Sequence, residues 1–383
     1  MDNLPIPDAC ALSSSQALTS LIKQQILQNN NWISFTDYMQ LVLYTPEYGY
    51  YASNSRKFGP NGDFITAPEL SSLFGQTLAK QLSELLPQTA GNIYEFGAGN
   101  GQLAITLLNA LPENLINQYY IIELSANLRS RQQHTIHRHA PHLAHKITHL
   151  SELPDNFDGI LLGNEVLDAI PAPVYQRNKS EITEMGVCWQ ENKFDWQKKT
   201  VTNQYIRQQI SELFPETNSP YQSELHPQQQ AFIATLAQKL QRGAMIWIDY
   251  GFDAAQYYHP QRQQGTLIGH YRHHVIHDVF FYPGLTDLTT HVNFTTIADA
   301  AINNGLDLIG YTTQASFLLN LGITRLLEQT GEPQETPYIQ AATACQTLLA
   351  PHEMGELFKV IAFGKNIAVD WLGFSQRDMC HKL

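Results

Sequence analysis

The chain is poor in cysteine, poor in positive charge and without a long apolar run, and each shortage argues against a class of function. Only four cysteines occur in 383 residues, Cys10, Cys188, Cys345 and Cys380. They are widely spaced with no C-x-x-C pair, so neither a disulfide framework nor a cysteine zinc site is expected, and a reducing compartment fits best. Lys and Arg total 23 against 35 Asp and Glu, a formal net charge of −12. Phosphate binding needs clustered basic side chains, so no nucleic-acid partner is expected, and basic protein segments are the easier partners. No apolar stretch is long enough to span a bilayer. Met1-Asp2-Asn3-Leu4-Pro5 has neither the regions of a signal peptide nor the Arg-rich amphipathic pattern of a transit peptide. A cytoplasmic location is expected, with a processed organellar form as the alternative. At 43% hydrophobic residues the chain can bury a sizeable core.

What the chain does have is one stretch that orders the rest: Ile93-Tyr94-Glu95-Phe96-Gly97-Ala98-Gly99-Asn100-Gly101-Gln102-Leu103. An apolar run, three alternating glycines and a resumed apolar pattern through Ile105, Leu107 and Leu108 predict a buried strand, a tight turn and a helix. Glycine can take positive φ, and the helix that follows offers free N–H groups, so a ligand can lie against bare backbone. A dinucleotide fingerprint would need a glycine at position 102, where Gln102 stands, which disfavours an NAD-linked dehydrogenase. The observed E-x-G-x-G-x-G, with Glu95, Gly97, Gly99 and Gly101, resembles the first motif of class I S-adenosylmethionine-dependent methyltransferases. A plain structural turn is the competing reading of the triplet alone.

Further along, Tyr119-Tyr120-Ile121-Ile122-Glu123 predicts a second strand ending in an acid, where doubly wound folds place the carboxylate that accepts from ribose hydroxyls. Leu124 follows at the same exit and is taken with Glu123 as cofactor-binding; a surface acid at a helix start is the alternative. Residues 157–171 predict a fourth strand whose exit carries Asn164, Glu165 and Asp168. Ligands sit at the carboxyl ends of strands in open α/β sheets, so Asn164 is a cofactor candidate and Glu165 and Asp168 are catalytic ones. Were the exit helical, the two acids at i and i+3 would share a face and could hold a cation; a helix cap is the other reading.

Around this frame, helices are expected at 15–28, from Ser34 with Asp37 as a capping box, and at 68–86. The aromatic, Gly- and Pro-punctuated stretch 44–69 between them reads as a lid, with Thr66 and Glu69 at its end as cofactor contacts, or as aromatics packing a small subdomain. His134, His137, His139, His142, His145 and His149 repeat no ligand spacing, and a solvated helix and loop is expected there, with no metal. A hairpin inserted near 174–215, a fifth strand at 244–252 and a loop-rich site wall at 265–294 with His270, Arg272, His273, His274, Asp278, Asp287 and His291 come next. Strands at 306–312 and 357–363 complete an α/β fold with seven strands. The expected division is an N-terminal helical and lid region 1–90, a catalytic domain 91–365 with an insertion at about 174–240, and a tail 366–383.

Six separated segments together resemble the MidA family: Gly62-Asp63-Phe64-Ile65-Thr66-Ala67-Pro68-Glu69, Glu95-Phe96-Gly97-Ala98-Gly99-Asn100-Gly101, Asn164-Glu165-Val166-Leu167-Asp168-Ala169-Ile170-Pro171, Asp249-Tyr250-Gly251, Asp287-Leu288-Thr289-Thr290-His291-Val292-Asn293-Phe294 and Gly355-Glu356-Leu357-Phe358-Lys359-Val360. The resemblance implies a class I methyltransferase (Rossmann-like) fold, with a mostly parallel seven-stranded sheet whose last strand is antiparallel, and S-adenosylmethionine as methyl donor. It also implies transfer to arginine of a protein substrate, with symmetric dimethylation in mitochondrial members that serve as complex I assembly factors, which makes the mitochondrial matrix the alternative location. A homodimer is a further expectation. The family usually has aspartate where this chain has Asn293, which raises a catalytically silent assembly partner as the alternative function.

Overall fold

The structure is a computed structural model that describes residues 4–53, 65–368 and 371–383. The 54–64 part of the expected lid lies outside the described residues. Two compact units divide the chain, one of Met1–Phe64, Asp168–Gln229 and Phe252–Asn293, the other of Ile65–Leu167, Gln230–Gly251 and Phe294–Leu383. This differs from the expected division at 90 and 365. The helical segment before the glycine stretch belongs with the sheet, and so does the tail, because Met379 N donates to Tyr311 O at 2.6 Å and Thr312 Oγ1 to Arg377 O at 2.8 Å.

In the first unit, Asp8 caps the helix Ala9–Gln28 by accepting from Ala11 N at 2.8 Å. Ser34 Oγ accepts from Asp37 N and donates to its carboxylate, forming the expected box at the start of Phe35–Tyr44. The expected hairpin is larger than predicted. Val174–Asn178, Glu181–Gln190, Lys193–Thr200 and Tyr221–Glu224 form an antiparallel sheet, with Ile33–Ser34 on the Glu181–Gln190 strand. Tyr44 and Tyr51 stack at 5.6 Å and Tyr50 is buried, so the 44–53 part of the lid packs into this unit's core, as the subdomain reading has it. The 265–294 stretch is also more regular than expected: Ile268–Tyr271, His274–Ile276 and Asp287–Thr289 pair antiparallel. Arg272 and His273 turn its hairpin at φ 46° and 63°. That backbone favours Gly or Asn, so neither residue announces a two-residue turn.

In the second unit, the predicted 68–86 helix is interrupted. Ala67–Leu70 ends at Ser71, whose extended backbone restarts the chain as α1 (Ser72–Leu85) and whose hydroxyl accepts from Leu73 N. Leu73, Phe74, Leu78, Leu82 and Leu85 of α1 are buried on one face, each side chain stabilising by about 1.5–3 kcal/mol. Then come β1 (Asn92–Phe96), α2 (Gln102–Ala110), β2 (Gln118–Ile122), α3 (Ala126–His139), β3 (Ile147–Leu150), β4 (Phe157–Asn164), β5 (Leu240–Phe252), β6 (Asp307–Thr313) and β7 (Phe358–Lys365). The sheet order is β6-β7-β5-β4-β1-β2-β3, with β7 antiparallel to β5 and β6 and the pairs from β5 to β3 parallel. Fully buried residues such as Ile93, Ile121, Ile160, Ile246 and Val360 supply its core, which makes the strands read as continuous apolar runs. The order reverses direction between β1 and β4, so their carboxyl ends form the crevice where ligands bind in such sheets. The α/β class expected from the sequence is what the structure has. Among the described residues no helix is long and apolar enough to cross a membrane.

Candidate active site

The glycine loop leaves β1 and enters α2 with Gly97, Gly99 and Gly101 at φ 64°, 53° and 86°. A Cβ built on Gly97 would stand 2.8 Å from Val166 Cγ2, whereas one on Gly99 meets nothing within 4 Å. Gly97 is therefore needed for close packing against the exit of β4, and Gly99 presents bare backbone to open space. Asn100 braces the loop, its Oδ1 accepting from Gln102 N at 3.0 Å and its Nδ2 donating to Glu69 Oε1 at 2.6 Å. Glu69 thus meets the glycine loop directly, while Thr66 occupies the N-cap position of its short helix without a side-chain cap bond.

Glu123 lies one residue past β2 and is 8% exposed. Its Oε1 accepts from Ser125 N at 2.8 Å and its Oε2 from Gln132 Nε2 at 3.1 Å, while burial raises its pKa against these bonds. Leu124 beside it is 80% exposed. Asn164 ends β4, donates to Glu165 Oε1 at 3.0 Å and keeps a buried Oδ1 with no hydrogen-bond partner among the described residues. An unmet acceptor, an apolar side chain, an acid and bare backbone thus lie at neighbouring strand ends, where ligands bind in open α/β sheets.

Glu95 sits elsewhere. It lies inside β1, 3% exposed, and its Oε2 accepts from Tyr119 Oη at 2.8 Å, within the sheet and not on the loop. Burial raises its pKa from 4.5 to about 7. A carboxyl that binds its proton more tightly when folded contributes stability below about pH 4.5 that is lost as pH rises through about 7, amounting to about 3 kcal/mol. Glu95→Gln, which still accepts from Tyr119, should therefore raise the melting temperature relative to the parent at pH 8 and not at pH 5. An equal gain at both values would remove burial of the charge as the cause.

Glu165 has φ 54°, a left-handed backbone that is rare for a non-glycine residue, and its N–H donates to Ile248 O at 2.9 Å. No helix follows it, so neither the shared helical face with Asp168 nor the helix-cap reading applies. Asp249 instead shapes this exit. It is 1% exposed, and its Oδ2 accepts from Val166 N at 3.1 Å and Leu167 N at 2.9 Å. Its only sequence signal was the Asp249-Tyr250-Gly251 segment. Asp249→Asn strips a charged acceptor from two amides and should lower unfolding free energy by about 2 kcal/mol in urea titration; an unshifted midpoint would show that water replaces it.

Asp168 and His291 fall in the first unit. Asp168 is 4% exposed and its carbonyl accepts from Thr290 N at 3.0 Å. Tyr51 donates to the Asp287 carboxylate at 3.0 Å, and its own ionisation is suppressed by burial first, then by the charges of Asp287 and Asp168. The His291 ring stacks on Phe252 at 5.2 Å with a 2° interplanar angle, and its N–H donates to Thr266 Oγ1 at 3.0 Å. Thr266 in turn donates to Glu224, a wholly buried acid that also accepts from Tyr257 Oη and Leu267 N. Glu224 gave no sequence signal because a four-residue strand has too few positions for a pattern. Asn293 is buried and hydrogen-bonded with Tyr258. His270 is pushed down to about 4 by burial. Among the described residues no group of three or more His, Cys, Asp or Glu could hold a metal ion.

A family model described as "Putative S-adenosyl-L-methionine-dependent methyltransferase" matches residues 73–312. The chain is 28% identical over 368 residues to the zebrafish mitochondrial protein arginine methyltransferase NDUFAF7, covering 85% of this chain and 82% of that protein. It is 27% identical to the human protein of that name, covering 86% and 79%. A COG1565 superfamily member from Burkholderia thailandensis, crystallised with S-adenosyl-homocysteine, is 41% identical over 100% of both chains with a TM-score of 0.95. Agreement over this much of the chain, with a bound cofactor product in the similar structure, makes this protein a member of the MidA family of S-adenosylmethionine-dependent methyltransferases.

Proposed function

We propose that this methyltransferase acts on arginine of a protein substrate, in a reducing compartment such as a bacterial cytoplasm. The observation that carries the reading is Glu165, an acid held in a costly left-handed backbone at the exit of β4; such strain persists where the surroundings over-determine it, and clusters at functional sites. The zebrafish and human relatives, named as protein arginine methyltransferases, support arginine. Symmetric dimethylation, and a link to respiratory complex I assembly, are the finer parts of the same proposal.

The residues divide the work as follows. Gly97, Gly99 and Gly101 bring backbone to the cofactor, Glu123 accepts from its ribose hydroxyls, Leu124 covers its base, and Asn164, Thr66 and Glu69 with Asn100 complete the cradle. Bound S-adenosylmethionine supplies a sulfonium methyl whose thioether leaves without protonation. Arginine keeps its proton up to a pKa above about 12, so its guanidinium must be oriented as a cation. Glu165 aligns one nitrogen and takes up the proton that leaves as the new N–C bond forms, and near-attack geometry supplies much of the rate. Within the first unit, Tyr51 donates to the Asp287 carboxylate and is also in the field of Asp168.

A second reading, a partner protein that keeps the cofactor without turnover, rests on Asn293. Its amide is hydrogen-bonded with Tyr258, whose hydroxyl donates to the Glu224 carbonyl at 3.1 Å, so an ionised aspartate, which can only accept, would not make the same contact. Incubating the enzyme and radiolabelled S-adenosylmethionine with lysate of its own cells, followed by mass spectrometry of the labelled band, should find methylated arginine. Label on another side chain would replace the arginine reading, and no label would favour the silent partner.

A further inference from the structure

Behind the proposed ribose acid lies a side chain that neither composition nor motif marks. Gln132 of α3 is wholly buried. Its Nε2 donates to Gly99 O at 3.1 Å and to Glu123 Oε2 at 3.1 Å, and its Oε1 faces His149 Nε2 at 3.0 Å. The amide orientation follows from chemistry: a carbonyl and a carboxylate can only accept, so the NH2 group must face them and the oxygen must face the imidazole. His149 Nε2 therefore carries a proton and donates. Arg129 of the same helix donates to the Glu123 carbonyl at 2.7 Å, fixing the backbone beside it.

We propose that Gln132, oriented by His149, is a positioning residue that locks the glycine loop to the ribose acid, so that S-adenosylmethionine meets both in one preset arrangement. Two separate chain segments must face one nucleoside, the loop after β1 and the exit of β2. Gln132 is bonded to both through one amide. A cradle preset by the protein spares the ligand the cost of ordering it. A Cβ built on Gly101 would stand 3.7 Å from Gln132 Cα and Cβ, so the loop runs close past the helix there. His149, expected to be part of a solvated stretch, is thus tied to the cofactor cradle through one amide.

The inference is independent of the methyl acceptor and rests on Glu123 being the ribose contact. Its test is calorimetry of the full chain with S-adenosylhomocysteine. Gln132→Met keeps the volume and removes both donors; it should raise the Kd about tenfold or more with an unchanged circular dichroism spectrum. In a Glu123→Gln background the same change should cost much less, because the partner charge has gone. Gln132→Glu places a second carboxyl against Glu123, with Arg129 and His149 the other charged or titratable groups there. Two such neighbours cannot both ionise, so this variant should regain affinity relative to the parent as pH falls from about 8 to 6.5, a response that loss of packing would not give. If Gln132→Met fails to fold, His149→Phe and the pH series of Gln132→Glu carry the test, each expected to weaken binding at pH 8. Normal affinity in the Gln132 and His149 variants while Glu123→Gln binds weakly would overturn the positioning role. Normal affinity in Glu123→Gln would instead overturn the ribose assignment, and the proposal with it.

Discussion

Gly99→Val should leave a folded protein that no longer binds S-adenosylhomocysteine, a loss of at least about a hundredfold in affinity. An added Cβ at Gly99 meets no protein atom within 4 Å, so packing is not what fails. The φ of 53° costs a branched residue roughly 1–3 kcal/mol, which a sheet and core of this size can absorb. What the side chain does occupy is the open space over the loop, where a ligand would lie on backbone. Gly97→Ala makes the contrast: its Cβ would collide with Val166, so stability as well as binding should suffer. Melting temperature and calorimetric affinity measured on one preparation of each variant separate the two effects. Normal affinity in a folded Gly99→Val protein would remove the central site assignment.

Glu165→Gln should retain cofactor affinity and lose methyl transfer by on the order of a hundredfold or more in single turnover, the signature of a group needed mainly in the transition state. The amide keeps the size and still accepts from Asn164 Nδ2, so the exit of β4 should not move. It cannot balance a guanidinium or take up a proton. With no helix after β4, the remaining competitor is a cofactor contact, in which case affinity falls together with rate. The left-handed backbone adds a second check, since Glu165→Gly should stabilise the fold slightly while being as inactive. A normal single-turnover rate for Glu165→Gln would sink the catalytic assignment and shift it to Asp287 and His291 in the first unit.

Much of this was legible in the residue order, for a reason tied to locality. Strand, turn and helix around Gly97, Gly99 and Gly101 follow from apolar runs broken by residues that permit positive φ, and the acid after β2 follows from where a short buried run ends. Ser34 with Asp37 caps a helix because both partners lie within one turn. These are interactions between near neighbours, and near neighbours are what a sequence displays.

Other features needed the chain to be folded first. Glu95 was grouped with the glycine loop by its spacing, yet a strand alternates its side chains, and tertiary structure turned this one to Tyr119, 24 positions away. Asp249 meets Val166 and Leu167 across more than 80 residues, and Glu224 meets Thr266 across 42. Gln132 looked like one more polar residue of a solvated helix, because nothing local says that Gly99, Glu123 and His149 will converge on it. By itself the sequence determined the class of fold, the glycine loop and the acids at strand exits, all set by local backbone and burial preferences. Only the tertiary structure decided which partners those acids take, because a buried polar group takes whatever partner the fold brings within about 3 Å.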